Sequence, residues 1–317
     1  MVRPLSLNKK ELLSPVPSLN KINKLNYMNV KTINFGIDLG TTNSAIAKFE
    51  QGQVEVFRNP SGHKDTLPSV VGFRKERILI GDKAREYLLD DPKSVVGTFK
   101  RKMGTTESFP IESLGQSRTP VELSALILKE LKGFIHTGEA LSAAVVTVPA
   151  SFDVVQCNAT KQAAQQAGIK QVVLLQEPIA ASLAYANKKS KSLGAGSWLV
   201  YDLGGGTFDV ALVRIASDGD LKIEDHEGDN YLGGADFDQM LVEKVFVPRL
   251  ERFGNFRNLP IELKSREGRW NKLWVRLLFE AEKVKIELSH KTSAEVDFVT
   301  NDDNGDRIDV NFEITRS

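Results

Sequence analysis

The stretch Tyr201-Asp-Leu-Gly-Gly-Gly-Thr-Phe-Asp209 decides how this chain folds. An apolar run from Trp198 to Tyr201 feeds an acid, three glycines, Thr207 and a second acid, and Val210 to Ile215 resumes the apolar run. That order predicts strand, tight turn, strand. Consecutive glycines let the backbone adopt positive φ and turn several N–H donors toward one point, where phosphate oxygens can sit. Thr207 can add a hydroxyl. Two carboxylates beside an anion make sense once a hard divalent cation such as Mg²⁺ stands between them and the phosphates. The turn thus predicts a metal-bound nucleotide, against the plain alternative of a flexible glycine hairpin.

A second copy supports the functional reading. Ile33 to Ile37 leads into Asp38-Leu-Gly-Thr-Thr-Asn-Ser44 and then Ala45 to Phe49, again strand, acid, glycine, hydroxyls, strand. Asp-Leu-Gly followed by threonine therefore occurs at Asp38 and at Asp202, which predicts two related lobes, each offering one phosphate-gripping hairpin to a shared cleft.

Six segments, FGIDLGTTNSAIA, VTVPASFD, LLQEPIAASLAYA, LVYDLGGGTFDV, LGGADFD and AEKVKIELS, resemble in order the signatures of the seventy-kilodalton heat-shock chaperones of DnaK type. These belong to the wider actin and sugar-kinase fold. The resemblance runs from about Ile33 to the last residue. It implies an α/β, two-lobed actin-like ATPase (duplicated ribonuclease H-like) fold whose second lobe is incomplete. The expected division is a disordered lead-in over residues 1–29, a first lobe over 30–193 and a second lobe over 194–317.

Composition bounds the alternatives. With 317 residues, 41% hydrophobic and 26% charged, the chain can build two cored units. The net charge of +1 gives no basic excess for nucleic acid or an anionic membrane. The single cysteine, Cys157, excludes an internal disulfide and fits a reducing cytoplasm. The four histidines show no zinc-ligand spacing. Residues 1 to 30 match neither a signal nor a transit peptide, and Met28 fits as a start. No segment approaches the length of apolar chain that spans a bilayer.

Between the hairpins, Val54 to Arg58 and Ser69 to Phe73 alternate like strands about an Asn59-Pro-Ser-Gly62 turn, and Gly81 to Leu89 reads as a short helix. Thr119-Pro-Val-Glu122 is a capping box ahead of a helix with Leu123, Ile127 and Leu131 at helical spacing. Ala144 to Val148 reads as a buried strand, Asp153 to Ala167 as a helix closed by Gly168, and Val172 to Leu175 as a strand running into a helix at Gln176-Glu-Pro178. This alternation predicts a mainly parallel, helix-covered sheet in the first lobe. In the second, Leu221 to His226 reads as a strand, Asp236 can cap a helix beginning near Phe237, and Trp270 to Leu288 carries a long amphipathic stripe.

Lys100, Arg101 and Lys102 form a basic cluster that on bare chemistry is a solvated face. Glu177 sits where a strand gives way to a helix, a position that faces a cleft or simply favours an acid. The resemblance implies more. Asp38 and Asp202 would hold Mg²⁺ through water. Gly40, Thr41, Thr42, Asn43 and the Gly204, Gly205, Gly206 and Thr207 turn would hold phosphates of ATP or ADP. Lys100, Glu177, Asp202 and Thr207 would serve hydrolysis. Gly233 and Gly234 approach the nucleotide, while Glu282, Lys285 and Ser289, on one helix face, would hold adenosine. A K⁺ site is implied as well.

Three departures stand out. Ser151 and Cys157 lie where the family has an aromatic and an arginine, in the segment that relays nucleotide state past Pro149, which argues against an ordinary relay. Ile286 replaces an arginine that stacks on the base in some members. The chain also stops before the family's returning segment and its peptide-binding part, so a truncated chaperone ATPase is expected. J-domain co-chaperone, exchange factor and unfolded polypeptide would be partners of a full-length form. A folded nucleotide-binding module without hydrolysis and a sugar kinase are the alternatives.

Overall fold

The computed structural model describes residues 33–189, 194–265 and 267–316. The expected lead-in over 1–29 lies outside them, as does part of the joint between the expected lobes. In chain order the first half comprises β1 (Phe35–Leu39), β2 (Asn43–Glu50), β3 (Gln53–Val56), β4 (Leu67–Pro68), β5 (Val70–Arg74), β6 (Arg77–Ile80) and α1 (Asp82–Asp90). There follow β7 (Val95–Gly97), β8 (Phe109–Ile111), β9 (Gln116–Arg118), α2 (Pro120–Lys132), β10 (Ala143–Val148), α3 (Val154–Gln166), β11 (Gln171–Gln176) and α4 (Glu177–Lys189).

The main sheet runs β11-β10-β1-β2-β3, with β4 added to β2. It is mixed rather than mainly parallel. β10 runs parallel to β1 and β11 to β10, because α3 and the longer crossover through α2 return the chain to the same end. β1, β2 and β3 are joined by tight turns and so must be antiparallel. The expected hairpin across Asn59 is also corrected. β3 pairs with β2, whereas β5 pairs with β6 and β7 in a separate sheet packed on α1. Asn59 does make the turn, its carbonyl accepting from His63 N–H.

Local signals set the helix starts. The Thr119 hydroxyl accepts from Glu122 N–H at 3.2 Å while the Glu122 carboxylate accepts from Thr119 N–H at 2.8 Å. Asp153 and Gln156 do the same for α3, and Gly168, at φ +81°, closes it. Leu123, Ile127 and Leu131 of α2 then lock against Ile37, Leu39 and Val146 in one buried cluster. Each such side chain contributes about 1.5–3 kcal/mol on burial.

The second half comprises β12 (Gly196–Leu203), β13 (Phe208–Ile215), β14 (Leu221–Asp229), α5 (Gly234–Leu241), α6 (Val247–Phe253), α7 (Leu259–Lys264), α8 (Asn271–Leu288), β15 (Ser293–Asn301) and β16 (Arg307–Thr315). β12, β13 and β14 form an antiparallel sheet that repeats β1, β2 and β3. One face of it packs on α4 through Ile179, Ala211 and Val213. Leu273, Leu277, Ala281 and Val284, the predicted stripe of α8, bury against the β15–β16 hairpin.

Candidate functional site

Both acid-glycine-threonine turns lie where β strands end. In the first, Gly40 N–H donates to Ser44 Oγ at 3.2 Å and its carbonyl accepts from Ser69 Oγ at 2.8 Å. A Cβ on Gly40 would fall 2.0 Å from the Asn43 carbonyl oxygen, so only glycine fits. In the second, Gly204 N–H donates to the Thr207 carbonyl at 2.9 Å. The Gly204 and Gly205 carbonyls take the first N–H groups of α5, from Gly234 at 3.0 Å and Ala235 at 2.8 Å. The start of α5 is thereby fixed to the turn.

The turns meet each other. A Cβ on Gly205 would fall 1.9 Å from Thr42 Oγ1, one on Gly206 would fall 2.4 Å from Thr41 Cγ2, and one on Gly233 would fall 2.4 Å from Gly206 N. Glycine at these three positions is the condition for three backbones to close on one point. The buried Thr42 hydroxyl has no partner there among the described residues.

Beside this junction sits a charge cluster. Thr98, in the left-handed region at φ 53°, launches the short 3₁₀ turn Phe99–Lys102. That turn carries Lys100 inward, where its buried ammonium donates to Glu177 Oε1 at 2.8 Å and lies 5.7 Å from the Phe152 ring centre. Glu177 is the first residue of α4, at the end of β11. Burial pushes its carboxyl above the usual range, Lys100 opposes this, and Asp38 and Asp202 add to it. Asp202 is likewise raised, by burial first and by Asp38 second. Asp38 itself accepts from Thr147 Oγ1 at 2.9 Å. Asp209, also buried, is raised by burial and keeps one carboxylate oxygen unpartnered. Asp38 and Asp202 thus place negative charge beside Glu177, yet among the described residues no group of three or more acid, histidine or cysteine side chains is arranged to hold a metal ion directly.

Of the three residues read as adenosine ligands, one, Lys285, lies beside the second turn. Lys285 donates to the Gly234 carbonyl and to the Asp238 carboxylate, both at 2.8 Å, and Glu282 pairs with Arg85. Ser289 lies past the end of α8, is exposed, and donates back to the Ile286 carbonyl at 2.6 Å. Asn43 begins β2 and is exposed.

Two readings are corrected. Arg101 is no solvated side chain: it donates through Nε to the Gly206 carbonyl at 2.7 Å and through its terminal nitrogens to the Asp236 carboxylate at 2.5 and 3.3 Å. Asp236 therefore does not cap its helix; the N-cap is Gly233, with no side-chain cap bond. Sequence reasoning also missed Thr147, Arg85 and Asp238. None of the three carries a local signal, because each gains its role from a neighbour distant in the chain.

Duplicated antiparallel hairpins with two facing acid-glycine-threonine turns define a two-lobed nucleotide-binding fold of actin type. The Hsp70 protein family model matches residues 34–317, and the chain belongs to that family as a DnaK-type nucleotide-binding domain. It is 39% identical over 292 residues to "Chaperone protein DnaK" of Ureaplasma urealyticum serovar 10 (strain ATCC 33699 / Western), covering 90% of this chain and 46% of that one. It is also 39% identical to the protein of the same name from Ureaplasma parvum serovar 3 (strain ATCC 27815 / 27 / NCTC 11736), of which it covers 45%. The chain thus spans about half the length of the curated relatives it matches. Among the described residues no helix is long and apolar enough to cross a membrane. Family membership leaves the sugar-kinase reading without support.

Proposed function

We propose that this chain binds ATP with Mg²⁺ between lobes spanning 30–193 and 194–317, and hydrolyses it to ADP and phosphate. The observation that carries the reading is the buried Lys100–Glu177 pair, 2.8 Å apart, beside Asp38 and Asp202 at the junction of two glycine turns. Asp38 and Asp202 would hold the metal through water, and the metal would neutralise polyphosphate charge. Thr41, Thr42 and the Gly204 to Thr207 backbone grip phosphates. Lys100 presents a fixed positive charge to the terminal phosphoryl group, and Glu177 with Thr207 orients the attacking water. Lys285 and Glu282 serve the adenosine end. A K⁺ ion completes the proposed set. In a longer form the partners would be a J-domain co-chaperone, an exchange factor and unfolded polypeptide, in the cytoplasm.

A second reading, nucleotide binding without hydrolysis, is favoured by one observation: Glu282 and Lys285 are already engaged by Arg85 and Asp238. Calorimetric ATP titration followed by a phosphate-release assay separates the two. Release that drops about a hundredfold or more in Lys100→Ala supports hydrolysis. Binding with no Lys100-dependent release supports the module.

A further inference from the structure

The three glycines of the second turn have all their carbonyls engaged. Those of Gly204 and Gly205 accept from Gly234 and Ala235 N–H, in the first turn of α5, at 3.0 and 2.8 Å. That of Gly206 accepts from Arg101 Nε at 2.7 Å. In a trans peptide the carbonyl and the N–H of the next residue point opposite ways. Each engaged carbonyl therefore orients one donor: Gly205 and Gly206 N–H turn away from α5, and Thr207 N–H turns away from Arg101. Among the described residues none of these three N–H groups has an acceptor.

The anchors differ in origin. α5 belongs to the same half of the chain as the turn, while Arg101 reaches it from the other half, on the 3₁₀ turn that also carries Lys100. The Arg101 side chain is 14% exposed, and both terminal nitrogens lie on the Asp236 carboxylate, which leaves Nε for the carbonyl. Gly206 admits this approach because a Cβ there would fall 3.0 Å from Nε.

We propose that Arg101 is a positioning residue for nucleotide binding: it sets the Gly206–Thr207 peptide plane, so that the third phosphate donor of the turn is supplied from the other half of the chain. Gly205 and Gly206 N–H stay oriented by α5 wherever the first half lies, whereas Thr207 N–H is oriented only while Arg101 is in place. The inference rests on the nucleotide reading above and adds a dependence to it. The grip on phosphate, and not on adenosine, weakens when the two halves part.

Amide NMR on the full chain with Mg²⁺ and ADP tests this. In the unsubstituted chain ADP shifts the Gly205, Gly206 and Thr207 amide signals, and the Arg101 Nε proton is protected from exchange. Arg101→Met abolishes the Thr207 shift and keeps the other two. Its Kd for ADP with Mg²⁺ rises about tenfold, while that for adenosine stays within about twofold. Arg101→Lys, which returns a single donor, restores the Thr207 shift. Lys102→Met, at the neighbour that pairs with Glu107, leaves all three shifts as they were. A Thr207 shift that survives Arg101→Met overturns the proposal, as does equal weakening of ADP and adenosine, which marks a role in the fold alone. An Arg101 Nε proton that exchanges freely in the unsubstituted complex overturns it without any variant. The absence of every ADP-induced shift in the unsubstituted chain removes the nucleotide reading itself, and this proposal with it.

Discussion

Lys100 and Glu177 bury opposite charges against each other, and removing one partner strands the other in a low-dielectric site. Lys100→Met or Glu177→Gln alone is expected to destabilise the chain by about 3 kcal/mol, and the double substitution by clearly less than the sum. Denaturant unfolding of all four proteins measures the coupling, and strict additivity would mean that the pair does not interact. Asp209 is compensated only in part, by Ser151 and by the more weakly acting His226 and Lys100. Burial raises its carboxyl, so the native chain holds the proton more tightly than the unfolded chain, and the charged form costs stability at neutral pH. That cost fades as pH falls toward the unfolded value of about 3.9. Asp209→Asn should therefore raise the thermal midpoint at pH 7 by about 2 °C, and by progressively less on acidification. A constant or opposite difference across that range contradicts the assignment. At this scale the sequence was legible where a residue's role is local, as at Gly40 and Gly204. Arg101 was not legible, since its place against Gly206 and Asp236 depends on how the second half of the chain docks.

At the scale of elements, the strongest local signals held. The Thr119–Glu122 capping box, the Asp153 start and the Gly168 stop fixed α2 and α3 within a residue or two of expectation. Thr119→Ala removes one half of the box and should cost about 1 kcal/mol, seen as a drop of about 2–4 °C in the thermal midpoint. An unchanged midpoint would show that packing of Leu123, Ile127 and Leu131 alone sets the helix start. Strand existence was equally readable, but strand partnership was not. Val54 to Arg58 and Ser69 to Phe73 were readable as strands, yet β3 and β5 join different sheets. Alternation reports which face is buried and says nothing about which neighbour supplies the hydrogen bonds.

At the scale of the molecule, the contacts that tie the halves together include Arg85 with Glu282, Arg101 with Gly206 and Asp236, and the glycines of the second turn against Thr41 and Thr42. They hold the Asp38 and Asp202 strands at one junction, an arrangement the repeated Asp-Leu-Gly made readable. The central claim is that both turns serve one magnesium-bound polyphosphate, and calorimetric titration of ATP with and without Mg²⁺ tests it on four proteins. These are the unsubstituted chain, Asp38→Asn, Asp202→Asn and the double variant. The account predicts Mg²⁺-dependent binding that either substitution alone weakens by about tenfold or more, with little further loss in the double variant. Binding indifferent to Mg²⁺, or losses that simply add, would mean that the two carboxylates do not share a ligand.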